Sequence, residues 1–180
     1  MLLFWERGYE DTSVSDLAGA MGVRSASLYA AFGDKHRLFA EAVERYQAAH
    51  GGYVGKALAL SPTRKAIEAL LTHAAERFTD PKLPSGCMVV LAATRCGQGS
   101  KETVGYLNEQ RNGLVAAVRA RLERGLEASD IPVEPDLDEL AAYIVLIFEA
   151  LAVGARRGFG RTKLIRHAQR ALCFWPTIRT

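Results

Sequence analysis

The stretch TSVSDLAGAMGVRSASLYAAFGDKHRLF, Thr12 to Phe39, decides the fold. Leu17, Ala18 and Met21 recur at helical spacing, and Ala26, Tyr29 and Ala30 do so again beyond Gly22. Glycine reaches left-handed backbone angles at little steric cost, so Gly22-Val23 supplies a chain reversal between two short helices. Thr12 or Ser13 can cap the first of them, and Asp16, three residues after Ser13, completes an acid-bearing capping pattern. Gly33 breaks the second helix, and Asp34 caps a further one from Lys35 to about His50. Two helices joined by such a turn form a helix-turn-helix, whose second helix can lie in a DNA major groove. Arg24, Ser25, Ala26 and Ser27 are then turned toward base edges and phosphates.

Upstream, Met1 to Arg7 reads as a helix that stops at Gly8. Its hydrophobic Leu3 and Phe4 run straight into Glu6-Arg7, as in the second half of a longer helix, so residues are expected before Met1. Downstream the pattern is helical throughout, with helices expected at about 62–78, 86–95, 101–128, 136–155 and 162–175. The run GCMVVLAATR (Gly86 to Arg95) fits a buried strand by periodicity alone. No other segment offers it a strand partner, so a buried helix is preferred. Residues 140–153 are apolar on nearly every side, with Glu149 the sole charge, so this helix must be enclosed or shared with a partner. Gly51-Gly52 reads as a flexible boundary. The expected fold is all-α, about nine helices, with a three-helix helix-turn-helix domain at 1–50 and a second helical domain at 51–180.

The 180 residues are 49% hydrophobic and 24% charged, enough for a real core and ordinary for a soluble chain. A net charge of +3 says little about partners, but its distribution says more. Residues 1–50 carry five basic side chains against seven acidic ones, whereas residues 156–180 carry seven basic and no acidic side chain. The helix-turn-helix end is therefore mildly acidic. The basic tail reads as a solvated helix face beside a dimer interface. Cys87, Cys96 and Cys173 are odd in number and lack metal spacing, which points to reduced thiols in the cytoplasm. Cys87, Met88 and Cys96 read as core more readily than as a thiol sensor. No apolar run reaches the ~18–20 residues of a membrane span, and the start lacks signal-peptide features. No phosphate loop, metal cluster or nucleophile elbow occurs, and His36, His50, His73 and His167 form no constellation. Neither an enzyme nor a bound cofactor is expected.

Leu3-Phe4, Gly8-Tyr9, Thr12-Ser13-Val14, Asp16-Leu17-Ala18, Met21-Gly22-Val23, Ser27-Leu28-Tyr29, Phe32 and Lys35 stand in one order and spacing. Over about residues 3–46 they closely resemble the DNA-binding domain of the TetR family of bacterial transcriptional regulators. The remainder resembles that family in architecture, and the GCMVVLAAT segment looks like one variety of its regulatory domain. The resemblance implies DNA contacts at Val14 and Ser15, where helix 2 enters, and a reading face of Ser25, Ala26 and Ser27. It also implies that Tyr29 and Lys35 reach phosphate. Arg24 is left with two roles, bidentate to guanine or on the backbone alone. Ala30 and Ala31 depart from the larger residues common in the family, so the groove contact here is thinner. The basic arm that usually precedes helix 1 is not seen.

The same resemblance implies a homodimer through the last two helices, and a repressor released from operator DNA by a small, largely apolar effector. Candidate pocket residues are Tyr53, Leu70, Met88, Leu91, Arg111, Leu114 and Phe148. Arg111 suits either an anionic ligand or a salt bridge, and Glu149 poses the same choice. The alternative reading is a helical ligand-binding or adaptor protein with weakened DNA binding.

Overall fold

Ten helices and no strand occur in the computed structural model, which describes residues 1–96, 101–131, 136–173 and 175. They are α1 (Leu2–Arg7), α2 (Val14–Met21), α3 (Ser25–Phe32), α4 (Lys35–His50), α5 (Gly52–Leu58), α6 (Thr63–Phe78), α7 (Met88–Arg95), α8 (Lys101–Glu127), α9 (Leu137–Arg156) and α10 (Arg161–Ala171). The all-α expectation holds. The breaks expected at 97–100, 131–135 and Pro176 lie outside the described residues, Ile131 excepted. Among the described residues no helix is long and apolar enough to cross a membrane.

The chain forms two compact units: Met1–Gly51 with Cys87–Gln110, and Gly52–Gly86 with the described part of Arg111–Thr180. In the first unit, α2 packs on α3, α3 on α4, and α7 on both α1 and α4. Its centre is aromatic. Phe39, fully buried on α4, meets Phe4 and Tyr9 edge-on, each with ring centroids 5.1 Å apart. Trp5 lies edge-on to Tyr46 at 4.7 Å. Fully burying a side chain of this size contributes roughly 1.5–3 kcal/mol, so α1 is held by the two residues Phe4 and Trp5. The apolar run at α7 is helical, with Met88, Leu91 and Ala92 buried. A lone strand here would have left its backbone groups unpaired, and a helix satisfies them internally.

In the second unit α6 is central, against α5, α9 and α10. Ile67, Leu70, Leu71, Ala74 and Phe78 are all buried, as their spacing predicts. The short helix α5 was not foreseen. Gly51 closes α4 and Gly52 opens α5, so one helix follows the other directly where the two units divide. Its buried residues are only Ala57 and Leu58, too few to give a seven-residue segment a readable stripe.

A polar knot fixes the start of α6. Arg121, 5% exposed on α8, donates to the Leu60 carbonyl at 2.9 and 3.2 Å and to Thr63 Oγ1 at 2.7 Å. The Thr63 amide donates to Asp130 Oδ2 at 2.9 Å, so a carboxylate from the turn after α8 caps α6. Gly125 is required here because a Cβ would lie 2.2 Å from Thr63 Oγ1. Burial pushes the Arg121 guanidinium below its usual range, partly offset by Asp130. On the long helix the sequence singles out Arg111 as the candidate charge, yet Arg121 is the arginine buried among the described residues.

Candidate nucleic-acid interface

The geometry of α2 and α3 is set locally. Ser13 accepts from the Asp16 amide at 3.0 Å while Asp16 accepts from the Ser13 amide at 2.9 Å, a reciprocal capping box. Thr12, the other candidate cap, is fully buried and donates instead to the Gly8 carbonyl at 2.7 Å. The Ser13 hydroxyl and amide hold the Asp16 carboxyl below its ordinary value. Gly22 ends α2 at φ +66°, ψ +29°, left-handed angles that β-carbon-bearing residues rarely adopt. At the start of α4, Asp34 accepts from the Arg37 amide at 2.8 Å. Between these two capped helices α3 begins at Ser25, after Arg24 and without a side-chain cap; the Ser27 and Leu28 amides turn to the Arg24 carbonyl at 2.9 and 3.4 Å, leaving those of Ser25 and Ala26 for another acceptor.

Leu28 fixes the orientation of α3, being 4% exposed, with Phe32 partly covered below it. The opposite face carries Ala26, Ser27 and Ala30, all exposed, flanked by Ala31 and by Tyr29 at 52% exposure. Ser25 is half-buried on α3, and on α2 Val14 is half-buried and Ser15 exposed. Lys35 opens α4 with its ammonium 4.3 Å above the Tyr9 ring, a cation–π contact. Burial lowers its pKa, against the pull of Glu10, Cys96 and Asp11. Burial and Glu10 push the Cys96 thiol up, and its sulfur lies 3.7 Å from Glu10 Oε1.

Three of the seven acidic side chains of residues 1–50 are held in ion pairs. Asp16 pairs with Arg7 at 3.7 Å, Asp34 with Arg37 at 4.0 Å and Asp11 with Arg95 at 3.9 Å. The Arg24 side chain has no ion pair or hydrogen bond among the described residues and is exposed. The surface around α3 therefore keeps a free guanidinium while three neighbouring carboxylates are engaged. His36, which the sequence leaves without a role, accepts from or donates to buried Thr103 at 2.9 Å and lies 3.6 Å from Glu102. Its partner is sixty-seven residues away, and no local pattern reports such a contact.

The family profile for bacterial regulatory proteins of the tetR family matches residues 1–42, and the tetracyclin repressor-like C-terminal domain matches residues 63–172. The chain belongs to the TetR family. It is a DNA-binding transcriptional regulator. The TetR regulator CifR, solved as a cysteine variant complexed with 26bp double-strand operator DNA, is 36% identical with TM-score 0.92, covering 97% of this chain and 92% of that one. A TetR regulator from Rhodococcus sp. RHA1 is 33% identical with TM-score 0.66, covering 97% and 93%. The HTH-type transcriptional repressor ComR of Escherichia coli (strain K12) is 28% identical over 186 residues, covering 99% of this chain and 86% of that protein.

The candidate effector residues divide between the units. Met88 and Leu91 are buried in the unit that carries the helix-turn-helix. Tyr53, Leu70, Arg111, Leu114 and Phe148 belong to the other. Leu70 is fully buried, and Phe148 packs edge-on against Phe78 at 5.2 Å. Tyr53 and Leu114 are half-buried. Arg111 Nε donates to Glu149 Oε1 at 3.0 Å, which resolves both of these charges as one ion pair.

Proposed function

We propose that this TetR-family chain is a cytoplasmic repressor that binds operator DNA as a homodimer and lets go when a small molecule binds. Residues 1–50 act as the DNA-binding domain and residues 51–180 as the ligand-binding and dimerisation domain. Val14, Ser15, Arg24, Ser25, Ala26, Ser27, Tyr29 and Lys35 meet the DNA. The observation that carries this is the outer face of α3, exposed and flanked by a free Arg24 and a half-exposed Tyr29. Hydroxyls and uncapped amides hold phosphate, while side chains on the outer face of α3 meet base edges. Operator binding by CifR, 36% identical, supports the same role here. No catalytic step is assigned to the chain.

Dimerisation is supported by α9. It presents Leu146 at 55% exposure and Tyr143 at 38%, on a helix whose other face is core. Leaving such a face in water is unfavourable, and a second copy of α9 and α10 would cover it. Two-fold symmetry then sets operator half-sites one helical turn, about 34–36 Å, or a multiple of it apart. The effector must prefer the conformer that cannot place both α3 helices, because equal affinity for both shifts nothing. Tyr53, Leu70, Arg111, Leu114 and Phe148, all in the second unit, remain the proposed contacts. The engagement of Arg111 by Glu149 favours an uncharged effector over an anionic one.

The test is selection of duplexes from random double-stranded DNA, followed by affinity measurement on the winner. A palindromic site bound at two subunits per duplex is expected. Absence of any enriched sequence would contradict the reading.

A further inference from the structure

We propose that α3 reads its half-site chiefly through thymine methyl groups, with Ala26 and Ala30 as the specificity-determining residues and Arg24 beside them on a guanine. The inference rests on the DNA-binding reading above and adds the chemistry of the bases recognised. With 3.6 residues per turn, Leu28 and Phe32 define the inward direction, and Ala26, Ala30 and Ser27 lie closest to the opposite one. That outer ridge offers one hydroxyl and two methyl groups. It carries no amide, carboxylate, imidazole or guanidinium, the groups that pair with adenine, cytosine or guanine edges.

The groove itself supplies the complement. Among the base edges in the major groove, the C5 methyl of thymine is the apolar feature, and alanine is a side chain that meets it. Two residues four apart on a helix have Cβ atoms about 5–6 Å from each other. Base steps rise about 3.4 Å along a strand. Ala26 and Ala30 thus span one to two base steps and suit thymines on neighbouring or next-neighbouring pairs. Short side chains also let the helix approach the groove floor, since a helix with average side chains, about 10–12 Å across, already fills a groove about 12 Å wide. Arg24 precedes the ridge, exposed and unpartnered among the described residues, and its planar fork matches the two acceptors of guanine.

The experiment uses the full chain and the duplex it selects from random DNA. Each thymine of one half-site is replaced in turn by deoxyuridine, which removes the methyl and leaves every hydrogen-bonding group in place. One or two positions are expected to lose about fourfold in affinity each, the equivalent of one buried methylene-sized group. Replacement in both half-sites compounds this to roughly fifteenfold. Ala30→Gln, checked for an unchanged melting temperature, is expected to abolish the uracil effect at one position and to favour adenine there. Tight binding to the selected duplex with no loss at any uracil overturns the methyl reading and leaves the DNA-binding reading intact. Failure to select any duplex overturns both.

Discussion

The boundaries of α2 and α4 are fixed by residues three apart, Ser13 with Asp16 and Asp34 with Arg37. The start of α6 is fixed by groups more than fifty residues away, Arg121 on α8 and Asp130 just after it. Both solutions satisfy the same need, the orphan amides and carbonyls at helix ends. They differ in what must be assembled first. A capping box forms with its own helix, whereas the Thr63–Arg121–Asp130 knot exists only once α6 and α8 have met. The helix-turn-helix is therefore specified locally, and the second unit depends on tertiary closure.

The largest expected effect comes from opening the knot. Arg121→Ala leaves the Asp130 carboxylate half-buried and the Leu60 carbonyl without its donor, and should cost about 3 kcal/mol in a urea titration followed by helical signal. Gly125→Ala drives a methyl against Thr63 and should cost about 2 kcal/mol. If the comparison is right, both changes lower the unfolding midpoint of the second unit while DNA binding at low denaturant survives. Ser13→Ala removes one arm of the capping box and should cost about 1 kcal/mol, read as faster amide exchange in α2.

These differences also explain what could be read from the sequence. Ser13-x-x-Asp16, Gly22 and Asp34 carry their structural meaning within four residues, so the helix-turn-helix and its outward face were legible. The stripe of α6 was legible because a long periodic pattern averages over many residues. Arg121 was not, since its burial depends on Leu60, Thr63 and Asp130, which sequence spacing does not bring together. The short α5 failed for the opposite reason, having too few turns to show a period. Arg111 stood out as a charge to be placed, but only the position of Glu149 on α9 gave it a partner.

Smaller effects sharpen the contrast further. Arg111→Ala breaks a partly exposed ion pair and should cost only about 0.5 kcal/mol, because solvent screens it. Acid should act on the capping box in a defined direction. The Asp16 carboxyl is held below its usual 3.8, so its contribution is complete above that value and disappears as pH falls through the lower folded-state value. An Asp16→Asn chain should lose that acid sensitivity in a comparison of α2 exchange rates between pH 5 and pH 2.5.

The most direct test of the interface is the salt dependence of affinity for the selected operator. Counterion release makes log K fall linearly with log salt, by about 0.9 for each phosphate neutralised. Lys35→Gln keeps a stem beside the Tyr9 ring and removes the charge, so the slope should become shallower by about 0.9 per subunit engaged. An unchanged slope in Lys35→Gln, or an affinity insensitive to salt in the unaltered chain, would contradict the account.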